Sequence, residues 1–422
     1  MKVNRITIEN FRGIRELSLN LAFPLTVFTG KNGAGKSSIL DCLAALLSWY
    51  PARLGSPRGR GSFFKKTDIG NFQNTTQGRI SVAVAGDVVT EWGLGIDRKA
   101  NKKYFHRVNS EAFSQDNPGP NIPLVVHYSV HRTVLDIPLR IRGKIDLTSP
   151  LTAFAGAFHA SSNFRAFFSW FRQREDLENE KRWDRLVDAD LPDEMLAQSI
   201  RKQRDPQLQA VRSAVTIFTG FTDLRVYRDP LHMGVKKAEK KIWVDHLSDG
   251  EKCLLALVGD LARRLAILSG SSGQDPLSMA GVVLIDEIDL HLHPAWQREI
   301  LPKLVQTFSN CQFIVSTHSP QILSDVRPEA IFQLHQTSDG IKVSHPQDSY
   351  GQTSNRILED TMDVPERPER IKEKLRLLFD SIAQKELPVA REQVLELEKI
   401  LGSDPDLVRA NTLIRRYEVL GQ

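Results

Sequence analysis

The chain has 422 residues, of which 41% are hydrophobic and 25% are charged, and this composition is typical of a soluble globular protein. No apolar run approaches the ~20 residues that a membrane-spanning helix needs, and residues 1–6 lack the apolar core of a signal peptide. We therefore expect a cytoplasmic protein that does not enter a membrane. The three cysteines are far apart and form no C-x-x-C pair, so the sequence suggests neither a disulfide framework nor a zinc hook.

The N-terminal residues lead into a glycine-rich loop. Apolar positions alternate in residues 1–29 on either side of a turn at residues 11–14, which predicts paired strands. Residues 30–37, GKNGAGKS, then fit the phosphate-binding pattern G-x-x-x-x-G-K-[ST]. A buried strand precedes this loop and a helical apolar repeat follows it, which is the context in which such a loop binds a nucleoside triphosphate.

The glycines of the loop allow the backbone to wrap phosphates with its N–H groups inward, and the helix N-terminus adds partial positive charge. Lys36 is expected to lie on the outer phosphates of ATP and Ser37 to ligate Mg²⁺. The predicted nucleotide contacts are Asn32, Gly33, Ala34, Gly35, Lys36, Ser37 and Ser38. The alternative is a glycine turn before an ordinary helix.

Strand-like residues 79–85 and 88–95 predict an antiparallel subdomain. The net charge is only +5, but basic residues cluster here: Arg53, Arg58, Arg60, Lys65 and Lys66, then Arg98, Lys99, Lys102, Lys103 and Arg107. Such clusters can bind a phosphate backbone, so nucleic acid is a candidate partner. A solvated loop surface is the simpler explanation of any one cluster.

Residues 161–218 have a helical pattern, in which Phe164, Phe167, Phe168 and Phe171 share one face. An aromatic stripe of this kind is more often core than binding surface. The insertion is too short for a long coiled coil, so we expect a short helical arm.

Residues 247–251, LSDGE, open a strongly apolar helix over 252–268. Ser248 and the N–H groups at this helix start would form an anion site. Ser-Asp-Gly is also good capping and turn chemistry, so the pentapeptide alone is weak evidence for that site.

Residues 282–287, VVLIDE, read as a buried strand that ends in two carboxylates, at the edge of an α/β sheet where ligands bind. Asp286 would hold Mg²⁺, and Glu287 would polarise the attacking water. A second strand, residues 311–316, ends near His318, which could donate to the terminal phosphate. A lone histidine is more often structural, but the neighbouring acid-tipped strand favours function.

From residue 363 the chain is charged and helical, and Asp404 is explained as a helix N-cap that precedes a proline. We interpret this tail as a helical packing or docking element. The predicted division is an N-terminal lobe with the phosphate loop and antiparallel subdomain (1–160), a helical insertion (161–220), a second lobe (221–335) and a helical C-terminal region (336–422).

In this order, the phosphate loop, LSDGE, the acid-tipped strand and the strand-end histidine resemble ABC-type ATPase heads. Residues 8–14, 285–294 and 315–320 carry a narrower resemblance to the RecF, Rad50 and OLD group. The resemblance implies an α/β P-loop head with a mixed sheet and an antiparallel β subdomain. It also implies two ATP molecules sandwiched between two protomers.

In such a sandwich, Ser248 and Gly250 of one chain would contact the phosphate held by Lys36 of the other. Glu251 belongs to the same predicted set of nucleotide-binding residues. ATP would then hold a dimer together, and hydrolysis would release it.

Residues 172–180, 257–265 and 363–365 resemble compact bacterial ATPases that include the PtuA family of Septu anti-phage systems. In those systems a separate HNH nuclease accompanies the ATPase. The resemblance therefore implies a homodimer or higher homo-oligomer that controls a PtuB-like HNH subunit.

Two departures from the family pattern concern residues around the nucleotide. His293 stands where such heads usually place an aspartate. The usual glutamine between the phosphate loop and LSDGE is not identified, and Arg132 is its substitute candidate.

Two other functions remain open. One is a RecF-like DNA repair or recombination ATPase without a dedicated nuclease. The other is a self-contained OLD-type nuclease, which is disfavoured because no strand-flanked acidic cluster follows His318.

Overall fold

The structure is a computed structural model that describes residues 1–84, 88–107, 121–130, 146–147, 149–158, 164–188, 204–270, 272–338, 340–362 and 364–420. Its chain divides into two compact units, Met1–Gln352 and Thr353–Gln422. Within the described ranges, no helix has both the length and the apolarity that crossing a bilayer requires.

The first unit contains all the strands that the structure describes. They are β1 (Lys2–Phe11), β2 (Ile14–Asn20), β3 (Leu25–Gly30), β4 (Thr75–Val84), β5 (Val88–Asp97), β6 (Lys102–Arg107), β7 (Leu124–Tyr128), β8 (Thr222–Arg228), β9 (Leu231–Lys237), β10 (Lys240–Trp243), β11 (Gly281–Ile285), β12 (Cys311–Ser316), β13 (Ile331–Thr337) and β14 (Gly340–Ser344). Its helices are α1 (Lys36–Leu47), α2 (Trp49–Gly55), α3 (Phe164–Asp188), α4 (Pro206–Thr219), α5 (Asp249–Ser269), α6 (Pro294–Thr307) and α7 (Pro320–Leu323).

The central sheet has six strands in the order β14-β13-β3-β12-β11-β7. All its neighbouring strands are parallel except β14, which pairs antiparallel with β13. Every residue of β7, β11 and β12 is buried, which explains why these strands are mostly apolar. Ile285 pairs with both Tyr128 and Val315, so the carboxyl ends of three strands meet at one sheet edge.

The hairpin β13–β14 completes this sheet beside the phosphate loop. The sequence predicts a helical region from residue 336, but that position lies inside β13, whose residue Phe332 pairs with Phe28 of β3. The second lobe therefore extends through the hairpin, and the two compact units divide between Gln352 and Thr353.

A second sheet of five antiparallel strands, in the order β2-β1-β4-β5-β6, forms the predicted antiparallel subdomain. Its inward residues share one core with α1 and with the central sheet. The buried Gln312 of β12 also joins the two sheets, because its Nε2 donates to the carbonyl oxygens of Val3 and Leu21 at 3.0 and 2.6 Å. The predicted mixed sheet and antiparallel subdomain are both confirmed.

The helices α3, α4 and α5 and the small sheet β8–β10 form the rest of this unit. The four phenylalanines of the predicted stripe are at most 1% exposed, so they are core residues. Phe167 lies against Gly259 of α5, where an added β-carbon would be 2.9 Å from its ring. Cys42, Cys253 and Cys311 are buried free thiols, as expected for small apolar residues.

The second unit contains α8 (Ser354–Asp360), α9 (Glu369–Ala383), α10 (Leu387–Leu401) and α11 (Pro405–Leu420). The last three helices enclose an apolar core of their own, to which each contributes one face. Asp404 caps α11 by accepting a hydrogen bond from the N–H of Asp406 at 2.9 Å, and Arg367 pairs with it at 2.9 Å. The predicted cap and helical tail are present.

Candidate nucleotide-binding site

The phosphate loop connects β3 to α1 through three glycines with positive φ. The φ angles of Gly30, Gly33 and Gly35 are 143°, 82° and 101°, which other residues rarely adopt. A β-carbon on Gly30 would lie 2.4 Å from the carbonyl oxygen of Leu334, and one on Gly35 would lie 2.4 Å from Ile341 Cδ1. The hairpin β13–β14 therefore presses on the loop, and both glycines are needed for this close approach.

The loop and the first turn of α1 fit a phosphate group. Gly35 is the N-cap, it supplies no side-chain hydrogen bond, and no acidic residue lies in the first turn. The N–H groups there lack a side-chain cap and carry the positive end of the helix dipole, which is the arrangement that binds anions. Asn32, Gly33 and Ser37 are exposed, so a ligand can reach them.

Lys36 lies under the loop, with its side chain buried. Its Nζ donates to the carbonyl oxygens of Gly30 and Lys31 at 2.8 and 3.2 Å. Burial lowers the pKa of Lys36, while Asp286, Glu287 and Asp289 act in the opposite direction. The predicted lysine and the two predicted acids therefore share one electrostatic site, where an anionic ligand would offer the ammonium a counter-charge.

Asp286 and Glu287 follow directly after β11, at the sheet edge. The N–H of Asp286 donates to the carbonyl oxygen of Tyr128 at 2.9 Å, which fixes its backbone to β7. Ser316 Oγ, at the end of β12, donates to Asp286 Oδ1 and accepts from the N–H of Glu287 at 2.8 Å. Glu287 has a φ of 46°, a left-handed conformation that is uncommon for this residue type.

Asp286 and Ser37 supply the oxygen ligands that Mg²⁺ prefers. Ser37 opens the helix that follows the loop, and the buried Asp286 is an electrostatic neighbour of Lys36 beside it. These two residues are the predicted metal ligands, and each would offer Mg²⁺ an oxygen atom. Among the described residues, no group of three or more His, Cys, Asp or Glu side chains could hold a metal by itself.

His318 is held at the same edge by a carboxylate that the sequence analysis missed. Asp289 Oδ1 accepts hydrogen bonds from Thr317 Oγ1 at 2.6 Å and from the N–H of His318 at 3.3 Å. Burial and the nearby Lys36 lower the pKa of His318, which favours a neutral imidazole at neutral pH. The only sequence signal for Asp289 is a third acid shortly after the acid pair, and for Ser316 there is none.

The LSDGE segment forms a capping box at the start of α5. The N–H and Oγ of Ser248 donate to Glu251 Oε2 at 2.9 and 3.0 Å, and Lys237 pairs with the other carboxylate oxygen. Backbone and side-chain hydrogen bonds, including the bond from Lys237, lower the pKa of Glu251 although its burial acts to raise it. Within one chain, Ser248 is therefore engaged by its own helix and not by the phosphate loop.

Gly250 has a packing role in the same segment. An added β-carbon would lie 2.3 Å from the carbonyl oxygen of His291, in the loop that follows Asp286 and Glu287. The start of α5 thus rests against the loop that carries the two acids.

A buried polar cluster makes a second connection from α5 to this edge. Tyr128 Oη donates to Asp260 Oδ2 at 3.0 Å, and Arg263 and Arg264 pair with the two oxygens of Asp260 at 2.7 and 2.6 Å. All four side chains are almost completely buried. Although burial disfavours the charged carboxylate, the two guanidinium groups hold the pKa of Asp260 at about 2.

The two departures from the family pattern have different outcomes. His293 is the N-cap of α6, and its Nδ1 accepts from the N–H of Ala295 at 3.3 Å. This local role accounts for a polar residue at that position. Arg132 lies outside the described residues.

A protein-family profile described as "AAA domain, putative AbiEii toxin, Type IV TA system" matches residues 25–324. The match covers the phosphate loop, the LSDGE segment, the acid pair and His318. The chain belongs to this AAA family.

Three named relatives of this AAA protein are informative. The retron Ec83 probable ATPase of Escherichia coli is 30% identical over 422 residues, with 87% of this chain and 77% of the relative covered. The retron Vc95 probable ATPase of Vibrio cholerae is 30% identical over 387 residues, with 81% and 75% covered. The Septu protein PtuA of Bacillus thuringiensis is 24% identical over 377 residues, with 86% and 85% covered. The predicted resemblance to the OLD group and to PtuA is confirmed, and the retron ATPases share more identity than this PtuA.

Proposed function

We propose that this AAA protein is the ATP-hydrolysing subunit of an anti-phage defence complex, in which it dimerises around ATP and regulates a partner HNH nuclease. The observation that carries the proposal is the sheet edge where Lys36, the acid pair and His318 share one site. The names of the relatives, retron ATPase and Septu PtuA, support the defence setting.

We assign each residue of the site a role from its chemistry and its neighbours. The loop N–H groups and Lys36 bind the phosphates, and Mg²⁺, when held by Ser37 and Asp286, neutralises charge on them. Glu287 accepts a proton from the attacking water. The neutral His318 donates a hydrogen bond to the terminal phosphate.

The dimer is proposed because Ser248 hydrogen-bonds to Glu251 of its own helix and, within the described part of the chain, not to its own phosphate loop. Ser248 is exposed at the start of α5, and the N-terminus of that helix is an anion-binding element when the capping box opens. In the dimer, Ser248 and Gly250 of one chain contact the phosphate on Lys36 of the other, and Glu251 releases Ser248. ATP thereby favours the closed dimer, and its hydrolysis favours the open one.

A RecF-like ATPase that acts on DNA without a dedicated nuclease is the second candidate. The observation that favours it is the concentration of exposed basic residues on the antiparallel sheet and the loop beside it. DNA-stimulated hydrolysis by the purified chain, with no stoichiometric partner in the cell, would support this second function over the first.

Two substitutions test the nucleotide site. Glu287→Gln removes the proton acceptor but keeps the side-chain shape, so we expect ATP binding to persist and turnover to fall by at least about 100-fold. Lys36→Ala removes the phosphate contact, so ATP binding itself should weaken. Glu299→Gln on α6 is a matched control, because Glu299 is exposed and, among the described residues, pairs with Lys303 on its own helix. Normal turnover by Glu287→Gln would contradict the assignment of the proton acceptor.

Co-purification tests the defence complex. The tagged chain, expressed from its native operon, should carry a stoichiometric HNH protein, which mass determination of the complex would reveal. Recovery of the chain alone as an ATP-dependent dimer would contradict the nuclease partnership and favour the DNA-repair function.

A further inference from the structure

The fold brings the two basic clusters of the sequence together on the antiparallel subdomain. Arg98 Nη2, in the β5–β6 turn, donates to the carbonyl oxygen of Lys66 at 3.3 Å. Lys103 Nζ lies 5.8 Å from the centre of the Phe63 ring. We call this surface the basic face, and it consists of Arg53, Arg58, Arg60, Lys65, Lys66, Arg98, Lys99 and Lys103.

An aromatic layer holds the basic face in place. Trp49 stacks on Phe105 with ring centres 4.2 Å apart, and Phe63 packs edge-on against Trp49 at 4.8 Å. Arg53 lies over both Trp49 and Phe105, at 5.6 and 5.5 Å. The loop after α2 and the strand β6 are therefore joined by side chains, and Arg53 and Lys103, one from each basic cluster, lie on the same aromatic layer.

Few carboxylates accompany the basic face. In the described ranges 49–84 and 88–107, the acidic residues are Asp68, Glu91 and Asp97. Asp68 is buried and pairs with Arg12 at 2.9 Å, and Asp97 Oδ1 accepts from the N–H of Ala100 at 2.9 Å. Basic residues therefore outnumber acidic ones in these ranges, which favours a polyanionic ligand.

Phe72 is the second observation, independent of charge. Its side chain is fully exposed, and its φ of 65° is an unfavourable conformation for a bulky residue. The turn that carries it is tied to the basic face, because the N–H of Arg98 donates to the carbonyl oxygen of Asn74 at 2.7 Å. Because the ring of Phe72 is fully exposed, packing does not explain its unfavourable backbone conformation. We take this combination as a sign of a ligand.

We propose that the basic face and Phe72 bind single-stranded nucleic acid. The basic residues contact successive phosphates, and an unpaired base stacks on the ring of Phe72. A double-stranded helix would satisfy the charges but would leave Phe72 without a base to stack on, so the exposed ring favours single strands. This site is separate from the phosphate loop and does not depend on the proposed hydrolysis.

The first experiment measures binding of the full-length chain to labelled single-stranded DNA, single-stranded RNA and duplex DNA by fluorescence anisotropy over a range of salt concentrations. The variant Lys66→Ala with Arg98→Ala should reduce the salt dependence of single-strand binding by about 1.4 in logarithmic slope, since two phosphate contacts are lost. The matched control is Lys240→Ala with Lys241→Ala, an exposed basic pair on another sheet. Equal losses from the two variants would overturn the proposal, because binding would then follow net charge alone.

The second experiment isolates the aromatic ring. Phe72→Asn removes the ring but suits the left-handed backbone, so the fold should not suffer, which thermal unfolding checks. We expect about tenfold weaker single-strand binding with an unchanged salt slope, and Phe72→Trp should restore it. Unchanged binding by Phe72→Asn, or tighter binding of duplex than of single strands, would overturn the stacking site. The DNA and RNA arms identify which polymer is the better ligand.

Discussion

The carbonyl oxygen of His291 leaves no room for a side chain on Gly250. Gly250→Ala should force the start of α5 or the acid-bearing loop to move, and overpacking of this kind costs about 1–3 kcal/mol. We expect a lower free energy of unfolding together with slower ATP turnover, measured by urea denaturation and by phosphate release.

Gly13→Ala is the control for this prediction. Gly13 has no atom within 4 Å of an added β-carbon and needs no positive φ, so its substitution should leave stability and turnover nearly unchanged. If Gly250 served only to contact a phosphate across the dimer, Gly250→Ala would slow turnover but would unfold like the wild type.

Lys36, Asp286, Glu287 and His318 were proposed as site residues because a lysine after glycines, and polar residues after apolar strands, leave a local pattern. The structure makes these four residues electrostatic neighbours, and their roles stay predictions. Ser316 was missed, because its contacts with the acid pair depend on β12 lying beside β11. Such a role follows from strand order, which a local pattern does not contain.

At the scale of elements, α5 contacts the sheet edge that carries Asp286 and Glu287 at two points, Gly250 and the Asp260 cluster. The second point runs through one residue, because Tyr128 accepts a hydrogen bond from Asp286 with its backbone and donates one to Asp260 with its side chain. Movement of α5 and of the acid pair should therefore be coupled through Tyr128, which contacts both.

Asp260 should be among the most sensitive positions for stability. Asp260→Ala leaves Arg263 and Arg264 buried without their carboxylate, which should lower the free energy of unfolding by about 3–5 kcal/mol. Glu299→Ala breaks a partly exposed pair on α6 and should cost about 1 kcal/mol or less. Urea denaturation of both variants measures the contrast, and equal costs would show that the buried cluster is not a structural support.

The same cluster predicts a dependence on pH. The pKa of Asp260 is about 2 in the folded chain, below its ordinary value, so ionisation favours folding. This contribution, about 2 kcal/mol, is present above pH ~4 and is lost as the pH falls towards 2. Between pH ~4 and pH ~2, the free energy of unfolding of Asp260→Asn should fall less than that of the wild type. An equal fall in both proteins would contradict the lowered pKa of Asp260.

Elements with a clear pattern of apolar residues could be predicted from the sequence. Strands whose partners lie far away in the sequence could not. The apolar runs of β11 and β12 and the repeat of α5 gave their positions directly. The end of β13 and all of β14 were assigned to the helical tail, because the parallel partner of β13 is β3, far away in the sequence. The contact of the β13–β14 hairpin with the phosphate loop was therefore also missed.

For the whole molecule, the open question is which chain completes the site. Lys36 has the acids of its own chain as neighbours, whereas Ser248 is engaged by Glu251 on its own helix. A nucleotide on Lys36 therefore meets the predicted loop residues in one protomer but not Ser248 of the same chain. The proposed dimer supplies the LSDGE contacts by symmetry, since each chain offers one phosphate loop and one LSDGE segment.

Hybrid dimers test this arrangement. Lys36→Ala and Ser248→Ala chains with different tags should each be inactive, but their hybrid, purified through both tags, places both defects in one site and leaves the other intact. Its turnover should be about half that of the wild-type dimer. In the matched hybrid of Lys36→Ala with Glu287→Gln, each site carries one defect, so no activity should return. Activity only in the first hybrid requires that Ser248 act across the dimer, whereas inactivity of both hybrids would mean that each chain completes its own site.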